Sequence, residues 1–161
     1  MLEIKVTSKR YNCHLCINSK VTVIVGESGR GKSWLVKALK DKSGGYKVCI
    51  NKDIEIQELG PGTWYTFLTG CHKKTPLFIV DDDDFVFNKN FGKVFNELEK
   101  CYLIMIIRTE VNRNKLDKMN TISVDGDAIY EFVANGIEHT IYPSVMFKAN
   151  TVESNDYYDL I

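Results

Sequence analysis

Residues 21 to 34, "VTVIVGESGRGKSW", constrain the fold more tightly than any other stretch. Val21 to Val25 form an unbroken, mostly β-branched run, the pattern of a strand buried on both faces of a sheet. The run stops at Gly26, and Gly29 and Gly31 then follow within six positions, which frees the backbone to turn sharply. From Lys32 to Lys40 the apolar Trp34, Leu35, Ala38 and Leu39 share one helical face, and "KSGGY" (42 to 46) ends that helix. A buried strand, a glycine loop and an amphipathic helix in direct succession predict an α/β sheet.

Gly26 to Ser33 also fit the spacing GxxxxGK[ST], and they do so between a strand and a helix, the setting in which that spacing carries chemistry. Glycines permit positive φ and close backbone approach, so successive N–H groups and a helix N-terminus converge on negative charge. Gly26, Glu27, Ser28, Gly29, Arg30, Gly31, Lys32, Ser33 and Trp34 are therefore the expected walls of a phosphate site. Lys32 is expected to reach the β and γ phosphates as a point charge, and the Ser33 hydroxyl to complete a Mg²⁺ shell. A glycine turn that merely joins strand to helix explains neither the lysine nor the serine.

Such a site needs an acidic residue at the end of a neighbouring buried strand, and "LFIVDDDD" (77 to 84) supplies it. Asp81, first after the apolar run, is expected to hold Mg²⁺ through water, and Asp82 to orient or deprotonate an attacking water. Asp83 and Asp84 read as a solvated acidic turn, because four adjacent carboxylates cannot all face one ion. A Ca²⁺ loop is excluded, since such loops alternate their ligands around a central glycine.

Elsewhere Leu2, Ile4 and Val6, then Cys13, Leu15 and Ile17, alternate with polar residues and predict an N-terminal antiparallel hairpin. A strand is expected at "YKVCI" (46 to 50), a short helix at 63 to 68 after "GPG", a helix around the apolar positions 91, 94, 95 and 98, and a buried strand at "YLIMII" (102 to 107). "TISV" and "AIYEFV" around "DGD", and "GIEHTIYP" after "ANG", predict a small antiparallel meander with hairpins at Asp125-Gly126 and Asn135-Gly136. One domain over 1 to 150 and an acidic tail over 151 to 161 follow.

Lysine plus arginine and aspartate plus glutamate both number 21, so no overall positive field draws the chain to nucleic acid or anionic lipid. No apolar run spans a bilayer, and five cysteines scattered through strands fit a reducing compartment, so the expected location is cytoplasmic, with no membrane partner. "CHLC" (13 to 16) with "CH" (71 to 72) offers zinc-type ligands, but the spacing matches no familiar set, and Cys13 and Cys16 point to opposite faces of a strand. His139 reads as a satisfied strand histidine and Trp64 as a core anchor.

With these motifs in view, the chain resembles a P-loop NTPase: "GESGRGKS" is similar to the Walker A motif and "LFIVDDDD" to Walker B. The resemblance implies a mostly parallel sheet flanked by helices, with antiparallel hairpins at both chain ends. By analogy with the additional-strand branch, "YLIMII" lies between the two motif strands. Within that branch the chain looks most like a minimal ABC or chromosome-maintenance ATPase head. "LEIKVTSKRY" resembles the first strand and adenine-stacking loop of such heads, which makes Tyr11 the base platform. It departs from them in lacking an LSGGQ-like signature, in a short interval from Val48 to Leu77, and in placing Arg108 or Thr109 where those heads carry a switch histidine.

Arg108 and Arg113 follow the "YLIMII" strand, a position from which arginine senses a γ phosphate, and Glu110 between them is a second candidate base. The resulting expectation is an ATP- and Mg²⁺-binding protein with slow ATPase activity that switches a protein partner or its own self-association. Two alternatives stand beside it. One is a small-molecule or nucleotide kinase, in which "RTEVNRNK" (108 to 115) serves as an arginine lid. The other is a non-enzymatic interaction module that keeps a P-loop. Adenine is preferred over guanine because no suitably placed NKxD pattern occurs.

Overall fold

The structure, a computed structural model, describes residues 1–7, 12–26, 32–40, 45–135 and 138–143. In chain order it contains β1 (Leu2–Thr7), β2 (Asn12–Ile17), β3 (Val21–Val25), α1 (Lys32–Lys40), β4 (Lys47–Ile50), β5 (Ile54–Glu58), α2 (Trp64–Thr69), β6 (Thr75–Asp81), α3 (Lys89–Asn96), β7 (Tyr102–Ile107), α4 (Glu110–Asp117), β8 (Ile129–Asn135) and β9 (Glu138–Pro143).

Five strands form a parallel sheet in the order β5–β6–β7–β3–β8, and β9 closes the β8 edge antiparallel. The "YLIMII" strand thus lies between the strand entering the glycine loop and the strand ending in aspartates. Side chains alternate across this sheet. Val21, Val23, Val25, Phe78, Val80, Leu103, Met105 and Ile107 face one way, into a core closed by Leu68 of α2, Phe91 and Phe95 of α3 and Leu116 of α4. Ile24, Leu77, Ile79, Ile104 and Ile106 face the other, against Leu35, Val36, Ala38 and Leu39 of α1. Burial on both sides explains why these strands read as continuous apolar runs.

A second sheet, in the order β2–β1–β4, is antiparallel throughout. Its inner residues Leu2, Ile4, Val6, Cys13, Leu15 and Ile17 join the α1 core, and its outer face carries the polar half of the alternation. The predicted strand at 46 to 50 therefore exists, but as a partner of β1.

On the opposite side an aromatic cluster organises the helices. Phe91 lies 5.3 Å from Trp64, 5.5 Å from Phe85 and 5.9 Å from Phe95 between ring centroids. Gly92 lets α3 approach the following loop, since a Cβ there would sit 2.8 Å from the Thr121 Cβ. Lys20 donates to the carbonyls of Phe95 and Leu98 at the end of α3, where the helix dipole favours a cation, and its ammonium sits 4.3 Å from the Phe95 ring centroid.

Three expectations need correction. "TISV" forms no strand, and Asp125-Gly126 makes no hairpin: the Asp125 carboxylate accepts from its own chain at Asp127 N (3.4 Å), starting a 3-10 turn at Gly126–Ala128. The strand that follows, β8, then pairs parallel with β3, so the meander reduces to the β8–β9 pair, which runs from Tyr130↔Pro143 to Asn135↔Glu138. The segment "RTEVNRNK" leads into and forms most of a capped helix, α4: the Thr109 hydroxyl accepts from Asn112 N at 3.3 Å, and Glu110 occupies the acid-favouring first turn. The predicted tail, 151 to 161, lies outside the described residues. No helix among the described residues is long and apolar enough to cross a membrane.

Candidate functional site

β3, β7 and β6 end nearly level, because Ile24 and Asp81 both pair with Ile106 of the strand between them. Asp81 is therefore about 10 Å, two strand spacings, from the point where β3 enters the glycine loop. Gly26 N donates to Ile107 O (3.1 Å) and Asp82 N to Ile106 O (2.7 Å), so both motif strands are stitched to β7 as they leave the sheet. The C-terminal ends of parallel strands border the crevice in which open α/β sheets hold ligands.

At this edge the four aspartates have four different surroundings. Arg108 Nη2 lies 2.8 Å from both carboxylate oxygens of Asp81 and donates to Oδ2. Asp81 Oδ1 is buried and accepts no hydrogen bond of good geometry from any described residue, and the Arg108 guanidinium 2.8 Å away is its charge partner. Burial pushes the Asp81 carboxyl above its ordinary value; Arg108 pulls it back, and Glu58 at the end of β5 pushes it up again.

Asp82 has φ +52°, in the left-handed region that aspartate tolerates better than most residues. That turn aims its side chain at the start of α4. Its Oδ1 accepts from Arg108 N (2.9 Å), Asn112 Nδ2 (3.1 Å), Thr109 N (3.3 Å) and Thr109 Oγ1 (3.4 Å). The oxygen that binds the α4 turn has no capacity left for a water; Oδ2 is the one that does. Asp83 caps the next 3-10 turn, Asp84–Phe87, by accepting from Phe85 N, and Asp84 stands 3.6 Å from Lys115 Nζ.

Of the other expected site residues, Glu110 is exposed on the first turn of α4, and Arg113 lies on the same helix with a buried Nε that no described residue bonds. Lys32, Ser33 and Trp34 provide the first backbone turn of α1, but their side chains lie outside what the structure describes. Tyr11, Glu27, Ser28, Gly29, Arg30 and Gly31 also lie outside the described residues. The structure thus brings together Gly26, Asp81, Asp82 and Arg108.

Sequence reasoning missed Thr109 as a cap, Asn112 as a buried linker to Asp82, and Glu58 as a neighbour of Asp81. Asn112 was findable: it lies one helical turn before Leu116, on the buried face of α4, and it is 5% exposed. A polar side chain there requires a partner.

No family model matches the chain, and no curated protein matches it. Among solved structures, one described as Rhizobiales Trip13 aligns with 80% of this chain at 14% identity and a TM-score of 0.41. The chain spans about half that protein's length, 48%.

Proposed function

We propose that the chain binds a Mg²⁺-complexed nucleoside triphosphate, ATP by preference, at the C-terminal edge of its parallel sheet, hydrolyses it slowly, and uses the nucleotide state to alter its hold on a partner. The observation that carries this reading is Asp81: a carboxylate at the end of the strand two places from β3, level with the point where β3 enters the glycine loop and paired with Arg108. The residues fit the group, since a hard oxygen ligand lies level with the loop whose sequence supplies Lys32 and Ser33. Mg²⁺, when bound, neutralises charge that develops between the β and γ phosphates.

This chain's own residues divide the remaining work. Backbone N–H groups of residues 26 to 33 and the α1 N-terminus receive the phosphates, and Lys32 adds a point charge. Arg108, paired with Asp81 at the same edge, would be placed to reach a γ phosphate. Asp82 presents only Oδ2 to water because Oδ1 is committed to α4, and the expected result is slow turnover. Glu110, the other candidate base, starts the helix that Asp82 anchors. The finer assignment to an ABC or chromosome-maintenance type head rests on the resemblance of the N-terminal "LEIKVTSKRY". The interval from β4 to β6 departs from such heads, since it holds one strand and one six-residue helix and leaves no room for a helical subdomain.

Calorimetric titration of ATP and GTP, each with and without Mg²⁺, followed by timed phosphate release, tests the proposal. Mg²⁺-dependent ATP binding with turnover well below the usual enzyme median of about 10 s⁻¹ is expected. Absence of Mg²⁺-dependent binding to either nucleotide refutes it.

A further inference from the structure

The outer face of the small antiparallel sheet holds a second cluster of ligand-type side chains, on a different sheet from the strand that enters the glycine loop. In the β1–β2 hairpin Glu3 pairs with Cys16 and Lys5 with His14. Leu2, Ile4, Val6, Cys13, Leu15 and Ile17 are all buried, so Glu3, His14 and Cys16 must share the opposite face. The "CHLC" run thus contributes His14 and Cys16 to one face, while Cys13 points into the core and Glu3 arrives from the next strand.

The distances are compatible with a bound metal ion. His14 Nε2 lies 3.5 Å from Glu3 Oε2 and 3.5 Å from Cys16 Sγ, and the three donor atoms all fall within 4.8 Å of one another. Around a tetrahedral zinc with ordinary bond lengths, the N–O edge is about 3.4 Å and the N–S edge about 3.6 Å. The other Glu3 oxygen, Oε1, faces Lys5 Nζ at 3.9 Å, which leaves Oε2 turned toward His14. The side chains of His14 and Glu3 are 48% and 32% exposed, so an ion can enter from solvent without any opening of the fold.

We propose that Glu3, His14 and Cys16 form a zinc site on the outer face of the β1–β2 hairpin, with its fourth position filled by water. One thiolate, one imidazole and one carboxylate make a borderline-soft set that selects zinc over Mg²⁺ or Ca²⁺. Binding displaces the proton of the Cys16 thiol to solvent and leaves the metal oxidation state unchanged. The site is separate from the proposed nucleotide site, which takes a hard cation on oxygen.

Cobalt(II) titration of the full-length, reduced chain in excess Mg²⁺ reads the site directly. One equivalent is expected to give tetrahedral ligand-field absorption and a thiolate-to-metal charge-transfer band, both removed by Zn²⁺. Cys16→Ser should abolish the charge-transfer band. His14→Ala and Glu3→Gln should each weaken binding by at least about a hundredfold, given that even outer partners of a metal ligand are worth about 10- to 100-fold. Cys49→Ser, Cys71→Ser and Lys32→Ala should leave the spectrum unchanged, the last separating this site from the nucleotide site. All three ligand positions face solvent, so the variants keep the fold, which circular dichroism checks. An octahedral, aquo-like spectrum overturns the proposal, as does a band that survives Cys16→Ser or follows Cys49 or Cys71.

Discussion

Asp82 offers the sharpest test of how the site is built, because its carboxylate gathers four contacts from the start of α4 and the two residues before it. Two of its four contacts are short, those to Arg108 N at 2.9 Å and Asn112 Nδ2 at 3.1 Å. A hydrogen bond to a charged group is worth about 1.5–3 kcal/mol, and Asp82 is only partly buried, so the lower value applies and the pair contributes about 3 kcal/mol. Alanine at φ +52° adds about 1 kcal/mol of backbone strain. Asp82→Ala should therefore lower unfolding free energy by about 4 kcal/mol. Asp82→Gly loses the same bonds without the strain and should be the more stable of the two by about 1 kcal/mol. Asp82→Asn keeps an oxygen acceptor and tolerates the left-handed backbone, so its loss should be about 1–1.5 kcal/mol. Urea unfolding followed by tryptophan fluorescence gives all three values. If Asp82→Ala unfolds within about 0.5 kcal/mol of wild type, or Asp82→Gly proves less stable than Asp82→Ala, the stitch is not what holds β6 to α4.

Other outcomes follow from the same geometry. Gly92→Ala gains about 1 kcal/mol of helix propensity but forces its methyl against Thr121, and a net loss of about 1–2 kcal/mol is expected by denaturant unfolding; a gain would show that α3 and the Thr121 loop are not in contact. Asp81 must be ionised to hold a cation, and its pKa is raised, so Mg²⁺-dependent ATP affinity should weaken on acidification at a pH above 3.8. Arg108→Ala removes the opposing charge and should move that loss to higher pH; a shift to lower pH contradicts the Asp81–Arg108 pairing. Over the same window the nucleotide-free protein should grow more stable as pH falls, because the folded chain takes up the Asp81 proton before the unfolded one. Burial pushes the Cys13 thiol from 9.0 up to about 12, so native-state alkylation should spare Cys13 while labelling Cys49 and Cys71. Stability should also decline as pH rises from 9.0 toward 12, where only the unfolded chain ionises Cys13, and rapid labelling of Cys13 in folded protein would contradict the β1–β2 core.

The legible parts of this sequence are those where one physical signal acts alone. Val21–Val25, Leu77–Val80 and Tyr102–Ile107 read as buried strands because helices or the second sheet cover both faces, and α1 was bounded by the glycine loop before it and "KSGGY" after it. β5 escaped because Ile54 and Ile56 are only half-buried, and the polar Glu55, Gln57 and Glu58 around them resemble a loop. α4 escaped because its exposed face is rich in charge and amide, so that Leu116 and Asn112 alone mark its buried side. Asp125-Gly126 misled because the pair that favours a hairpin also favours an Asx turn, and only the long-range pairing of β8 with β3 decides between them. At the site, spacing pointed to Asp81 and Asp82, but the positive φ that turns Asp82 toward Arg108, Thr109 and Asn112 depends on β7 lying beside β6.

The central claim is that Ser33 and Asp81 serve one Mg²⁺ ion on one triphosphate. A double-mutant cycle with Ser33→Ala and Asp81→Asn, read as ATP affinity by calorimetry, measures this directly. If both residues act through the same ion, the losses are non-additive by at least about 1 kcal/mol in Mg²⁺ and become additive when the metal is chelated. Additive losses in Mg²⁺, or ATP binding indifferent to Asp81→Asn, would contradict it.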